Sequence, residues 1–248
     1  MRTHMKQKLI LLPLVGMLCC NVHGANVLLN GNFDDFSILT GAYNSPYDAT
    51  TNPDGYTDDY GPIRIYQETV TGMGWRTTAT DNKIELWQNG AQTIASSDGI
   101  QFAEINAFQN AALYQDTVIT GGGQVDFSFA HRGRNAPGAD VLNVTITYFG
   151  LDNSFGTGDD VIAYDSTGTG NFSDGNASWG NYAVNDAFTS VDGGSYRFSF
   201  GAISSVGGNS SEGNFLDNVQ FGVNVVPEPS SALLGSLGAL ALLRRRRR

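Results

Sequence analysis

Gln124-Val-Asp-Phe-Ser-Phe-Ala130 carries an apolar residue at every second position, and Val141-Leu-Asn-Val-Thr-Ile-Thr-Tyr148 repeats the pattern shortly afterwards. Side chains of a strand alternate between its faces. Val125, Phe127 and Phe129 therefore share one face, as do Leu142, Val144, Ile146 and Tyr148. The other face of each stretch is polar, as in an antiparallel sheet with one side packed and one side wet. Ser195-Tyr-Arg-Phe-Ser-Phe200 follows the same rule through Tyr196, Phe198 and Phe200, and Asn214 to Val223 reads as a last strand. Further strands are expected at Ile63 to Glu68, Ile84 to Trp87, Ile100 to Asn106, Ala111 to Gln115 and Val161 to Tyr164. Turn clusters at Gly121-Gly-Gly123, Asp192-Gly-Gly194 and Gly207-Gly-Asn209 separate them. No long stretch shows helical spacing. About nine short strands with polar turns predict an all-β fold, a two-sheet antiparallel sandwich. Asp48 to Tyr60 reads as a loop insertion. Residues 26–224 form one domain without internal repeats.

The two ends read differently. Met1 to Lys8 is basic, and Leu9 to Cys20 is a run of twelve apolar or small residues. That run is too short to span a bilayer and suits a signal peptide over residues 1–25, cleaved after Gly24 or Ala25. The chain's two cysteines, Cys19 and Cys20, lie inside it, so the exported domain has no disulfide. At the other end, residues 225–248 contain Pro227-Glu-Pro229, an apolar segment from Ala232 to Leu243, and the cluster Arg244 to Arg248. The prolines hold the chain extended, and the arginines keep the end of the apolar helix in the cytoplasm. Counted from Ser230 this segment has 14 residues. As a helix it is ~21 Å long, short against a hydrocarbon core of about 30 Å.

Between the ends the charge is one-sided. Six basic residues (Arg64, Arg76, Lys83, Arg132, Arg134 and Arg197) face 23 carboxylates, a net charge near −17. Such a surface repels nucleic acid and suits contact with cations or neutral polymers.

Two resemblances sharpen this reading. Pro-Glu-Pro, apolar helix and arginine cluster, in that order, resemble the PEP-CTERM sorting signal. The resemblance implies processing by an exosortase, passing contact with the inner membrane, and delivery to the envelope or outer surface of a Gram-negative bacterium that makes exopolysaccharide. The functional residues it implies are Pro227, Glu228 and Pro229. Within the domain, Leu28-Leu-Asn-Gly-Asn-Phe-Asp34 resembles the first strand, and Asn214-Phe-Leu-Asp-Asn-Val-Gln-Phe221 the last strand, of carbohydrate-binding-module-like jelly rolls, the galactose-binding-domain-like fold. Gly74-Trp-Arg, Lys83-Ile-Glu-Leu-Trp and Phe129-Ala-His-Arg-Gly-Arg extend the likeness. It implies a jelly roll, which the signal-peptide helix and the C-terminal membrane helix read from the two ends would flank. It also implies a structural Ca²⁺ shared by Asp34 and Asp217, where Asp34 stands in place of the usual Glu. Oxygen ligands without His or Cys suit that ion.

Sugars stack on Trp and Tyr and bond to charged or amide groups. Trp75 and Trp179 sit in Gly-flanked polar segments and are the foremost stacking candidates, with Arg132 and Arg134 as polar partners. Trp87 and Tyr114 are read either as further platforms or as packing. Asp152 to Asp160 reads as an acidic hairpin. Glu85 and Glu104, in neighbouring strands, could in principle form a glycosidase pair. No nucleophile or phosphate-loop motif accompanies them, and no residue is assigned a catalytic role. The leading expectation is a non-catalytic surface protein that associates with exopolysaccharide. Its alternatives are a structural envelope protein without sugar affinity and a glycan-cleaving enzyme.

Overall fold

The computed structural model describes residues 26–34, 63–69 and 73–224. The signal peptide, the Asp48 to Tyr60 insertion and the sorting tail lie outside the described residues. Two antiparallel sheets face each other. The first runs, in spatial order, β1 (Ile63–Gln67), β3 (Lys83–Gln88), β4 (Gln101–Glu104), β12 (Phe215–Asn224), β6 (Gly123–Arg132) and β10 (Gly180–Ser190). The second runs β2 (Arg76–Thr77), β5 (Ala112–Ile119), β11 (Gly194–Ser204), β7 (Asp140–Tyr148) and β8 (Val161–Asp165), with β9 (Phe172–Asp174) also paired to β7. This is the expected all-β two-sheet sandwich.

The alternating residues make its core. Val125, Phe127 and Phe129 of β6, Leu142, Val144 and Ile146 of β7, and Tyr196, Phe198 and Phe200 of β11 are all buried. Phe221 of β12 locks the two sheets together, 4.1 Å from Phe198 and 5.0 Å from Phe127, ring centre to ring centre. Each large apolar side chain buried here contributes about 1.5–3 kcal/mol.

Two differences from the sequence reading matter. Leu28 to Asp34 is a chain of turns and not a strand. It is still sewn to β12, by Val27 N–H to the Phe221 carbonyl at 3.0 Å and Val219 N–H to the Gly31 carbonyl at 2.8 Å. The long strand β10 was not expected. Tyr182 and Val184 alternate properly, but the register breaks between Val184 and Phe188. Asp186 sits there with φ +52°, and its N–H bonds Asp126 Oδ1 at 2.7 Å. A bulge of this kind resets the period-two signal halfway along the strand.

Candidate ligand-binding surfaces

The outer face of the first sheet holds most of the residues singled out from the sequence. Cross-strand partners share a face, so the registers Glu85↔Glu104, Glu104↔Phe215 and Phe215↔Arg132 line these side chains in one row. The face is not open. The segment between β3 and β4 folds back over it and makes a second small core of Trp87, Phe102, Phe215, Ala91, Ile94 and Ile63, with Trp179 packed on its rim. Trp179 is half-buried, edge-on to Phe102 at 5.4 Å, with its indole N–H on the Ala95 carbonyl at 2.7 Å. Arg132 donates to the Asn176 carbonyl, and burial pulls its guanidinium pKa down. Arg134 reaches both Glu104 oxygens at 3.0 Å and lies 4.8 Å over the Trp87 ring.

Trp75 corrects the expectation more sharply. The Gly74 and Arg76 beside it suggested exposure, but the indole is 0% exposed. It stacks on Phe33 at 5.2 Å and donates to the Asn30 carbonyl at 2.9 Å. Gly74, at φ +75°, turns the chain so that the ring points inward. Trp75 is a core residue and offers no platform. Trp87 is buried likewise.

Glu85 and Glu104 do not flank a cleft. They are buried and hydrogen-bonded to each other, whereas a glycosidase pair needs about 5–10 Å for sugar and water. Glu85 also accepts the Trp87 indole N–H at 2.7 Å, and Glu104 accepts Gly213 N–H at 2.6 Å. Burial pushes Glu104 up to about 7, against Arg134 and Gly213, which pull it down. Burial, then the Glu104 charge, raises Glu85.

Asp34 and Asp217 grip one loop. Asp34 Oδ1 accepts the N–H groups of Ile100 and Gln101, each at 2.9 Å. Asp217 Oδ2 accepts those of Ser97 at 2.7 Å and Asp98 at 2.9 Å. The loop lies so close that a β-carbon on Gly99 would sit 1.4 Å from Asp34 Oδ2. Burial pushes Asp217 up to about 7, and the Asp34 charge adds to the rise. Beside them Gln101 is 1% exposed, and its amide donates to the Phe33 carbonyl at 2.9 Å. Its Oε1 is buried without a partner. The Asp34 charge thus adds to the cost of ionising Asp217, while four backbone N–H groups of the loop hold the two carboxylates. Among the described residues no group of three or more His, Cys, Asp or Glu could hold a metal. Backbone or amide oxygens would have to complete such a site.

The outer face of the second sheet is different in kind. Registers place Arg76, Tyr114, Ser199, Thr145 and Asp165 in one row. The next row is Asp116, Arg197, Thr147 and Ile162. Asp116 takes Arg197 in a fork, at 2.7 and 2.8 Å. The guanidinium carbon lies 3.8 Å from the Tyr114 ring centre and 3.6 Å from that of Phe155. Phe155 is 48% exposed and belongs to the acidic hairpin, which caps itself. Asp159 accepts Leu151 N–H and the Thr157 hydroxyl, both at 2.7 Å, and Asp160 accepts Gly156 N–H at 2.7 Å. Tyr114 was legible as an aromatic candidate. Arg197 and Asp116 were missed, although β-alternation around Tyr196 and Phe198 already turns Arg197 outward.

Comparisons with known proteins give one family match and a set of solved structures. Residues 225–248 match the PEP-CTERM protein-sorting motif. That motif implies export and sorting to the bacterial cell surface. A search of the curated proteins finds no match. Among solved structures, the neighbours are jelly-roll carbohydrate-binding modules. One is the CBM22-1 xylan-binding domain of Xyn10C from Paenibacillus barcinonensis, at 11% identity, over 69% of this chain and 100% of that one, with a TM-score of 0.41. A second is the CBM22-1–CBM22-2 tandem of the same protein, at 13% identity over 61% of this chain and a TM-score of 0.40; the chain spans 45% of that tandem. A third is TmCBM61 in complex with β-1,4-galactotriose, at 11% identity, over 79% of this chain and 97% of that one, with a TM-score of 0.33.

Proposed function

We propose that this is a non-catalytic protein of the Gram-negative cell surface that holds neutral extracellular polysaccharide on the outer face of its second sheet. The observation that carries the reading is the Tyr114–Arg197–Phe155 stack. Arg197 is fixed by two rings and a carboxylate and keeps 17% of its side chain exposed, while Phe155 is 48% exposed, so a held guanidinium edge and an exposed ring lie pre-positioned side by side. Rigid aromatic and polar groups lose little entropy on binding. Ser199, Thr145 and Thr147 add hydroxyls along the same rows, and Asp116 neutralises the arginine, so the face suits an uncharged chain. Modest single-site affinity is enough where many copies share one polymer.

Native gels cast with xylan, β-glucan or galactan test this. The protein is expected to be retarded in at least one of them, and Arg197→Ala and Tyr114→Ala are each expected to weaken retention about tenfold, the loss of one or two contacts. Retardation that survives both substitutions removes this face from the reading. Absence of retardation in every neutral gel returns the protein to a purely structural role in the envelope.

The Asp34–Asp217 pair belongs to the same proposal as a stabilising Ca²⁺ site. An ion that binds only the folded state adds about 2.7 kcal/mol at a hundredfold excess over Kd. Calcium is expected to raise the melting temperature of chelator-treated protein, and Asp217→Asn is expected to abolish that response. Superimposable melting curves with and without calcium would rule the ion out.

A further inference from the structure

We infer that the cleft between the N-terminal segment and β12 is a second binding site, for the uncharged hydroxyl-rich end of a sugar chain. The cleft has a volume of about 370 Å³, within the range of about 300–1,000 Å³ typical of small-molecule sites. Its polar lining is Asn26, Asn30, Asn32, Asn218, Gln220 and Asp98. Five carboxamides and one carboxylate converge there, and among the described residues no lysine, arginine or aromatic ring joins them.

The fold has to work to make this concavity. The β12 register breaks between Asp217 and Gln220. The bulge buries Val219 and hands its N–H to Gly31, while Asn218, at φ +48°, and the exposed Gln220 are turned out. Across the cleft Asn30 is at φ +47° and Phe33 at φ +59°. Left-handed non-glycine residues cost about 1–2 kcal/mol each, and Asn bears that cost more easily than most. Gly31 is required, because a β-carbon there would meet the Val219 carbonyl oxygen at 2.1 Å.

The ligand class follows from the lining. A carboxamide offers donors and an acceptor together, which matches a hydroxyl that is both. Anions find no positive group, so phosphate and uronate are disfavoured. One exposed carboxylate is a poor ligand set for a free cation, which needs six or more oxygens. The Asn218 amide oxygen already takes the Gln220 N–H at 2.8 Å. Among the described residues no hydrogen bond engages the Asn218 amide nitrogen, the Gln220 amide oxygen or the Asp98 carboxylate, which leaves these three groups to meet a ligand. With no ring among the described lining residues to stack on, the sugar is held by hydrogen bonds and binds weakly. The site is separate from the sheet face around Arg197 and does not depend on it.

Side-chain amide resonances of the ¹⁵N-labelled full chain report on this directly. Titration with lactose, cellobiose or xylobiose is expected to give saturable shifts at Asn218 and Gln220, and glucuronate none. Gln220→Leu, and Asn218→Gly, which keeps the positive φ, are each expected to weaken binding about tenfold with the melting temperature unchanged. Arg197→Ala is expected to leave these shifts intact, which separates this site from polysaccharide retention. If no neutral sugar moves these amides, or if only calcium does, the inference is overturned. If the shifts survive both substitutions, the sugar sits elsewhere and the inference fails equally.

Discussion

Arg134→Met is expected to destabilise the domain by about 3–5 kcal/mol near neutral pH, much of the ~5–15 kcal/mol that holds a domain folded. The guanidinium is the one cation that contacts Glu104 among the described residues, with Nη1 at 3.0 Å from both oxygens. Glu104 is 0% exposed and touches Glu85, itself 6% exposed. Removing the arginine leaves two carboxyls in an apolar seam beside Trp87. The loss should depend on pH in a defined direction. Both carboxyls titrate higher in the folded protein than in the unfolded chain, so the folded state holds their protons more tightly. Their contribution is fully present below the unfolded value of 4.5 and is lost as pH rises through about 7, where Glu104 titrates. In the variant that decline becomes steeper. Urea unfolding of both proteins across this window measures it. Pairing Arg134→Met with Glu104→Leu should recover most of the loss, because a buried ion pair exchanged whole for apolar groups is often neutral. A destabilisation that ignores pH, or that the double substitution leaves in place, would mean the arginine acts by packing on Trp87 alone.

The same seam shows what sequence could and could not reveal. Strands with strict alternation, such as β6, β7 and β11, were legible because one face of each is core and the other is not. β10 was not, because its bulge at Asp186 spoils the period, and β2 and β9 are too short to carry one. Pairing is a tertiary fact. Nothing local says that Glu85 faces Glu104, or that Phe215 lies between Glu104 and Arg132. Gly-flanked polar surroundings suggested that Trp75 and Trp179 were exposed, yet neighbours in the sequence are not neighbours in space. Trp75 is covered by Phe33 and Phe200, from opposite ends of the chain. Conversely, Arg197 was unremarkable in the sequence. It becomes a candidate only when register sets it beside Tyr114 and Asp116 and the hairpin brings Phe155 over it.

Alanine at both Glu228 and Pro229 is expected to abolish C-terminal processing and leave a larger, membrane-retained precursor. Both residues lie within residues 225–248, which match the PEP-CTERM protein-sorting motif. The folded domain should be indifferent to the change. β12 is paired with β6 as far as Asn224↔Gln124, and its last buried side chain is Val223. The substituted positions lie beyond that last pair, so no core contact or ladder hydrogen bond of the described residues is removed. A peptidase that reads Pro-Glu-Pro loses the ring of Pro229 and the one acidic side chain of residues 225–248. Immunoblots of membrane and extracellular fractions distinguish the outcomes, and a melting curve of the purified variant confirms an intact sandwich. Precursor accumulation with an unchanged melting temperature is the expected pair of results. Normal maturation and release of the double variant would show that the apolar segment and arginine cluster suffice, and that Pro-Glu-Pro is a spacer and not the signal.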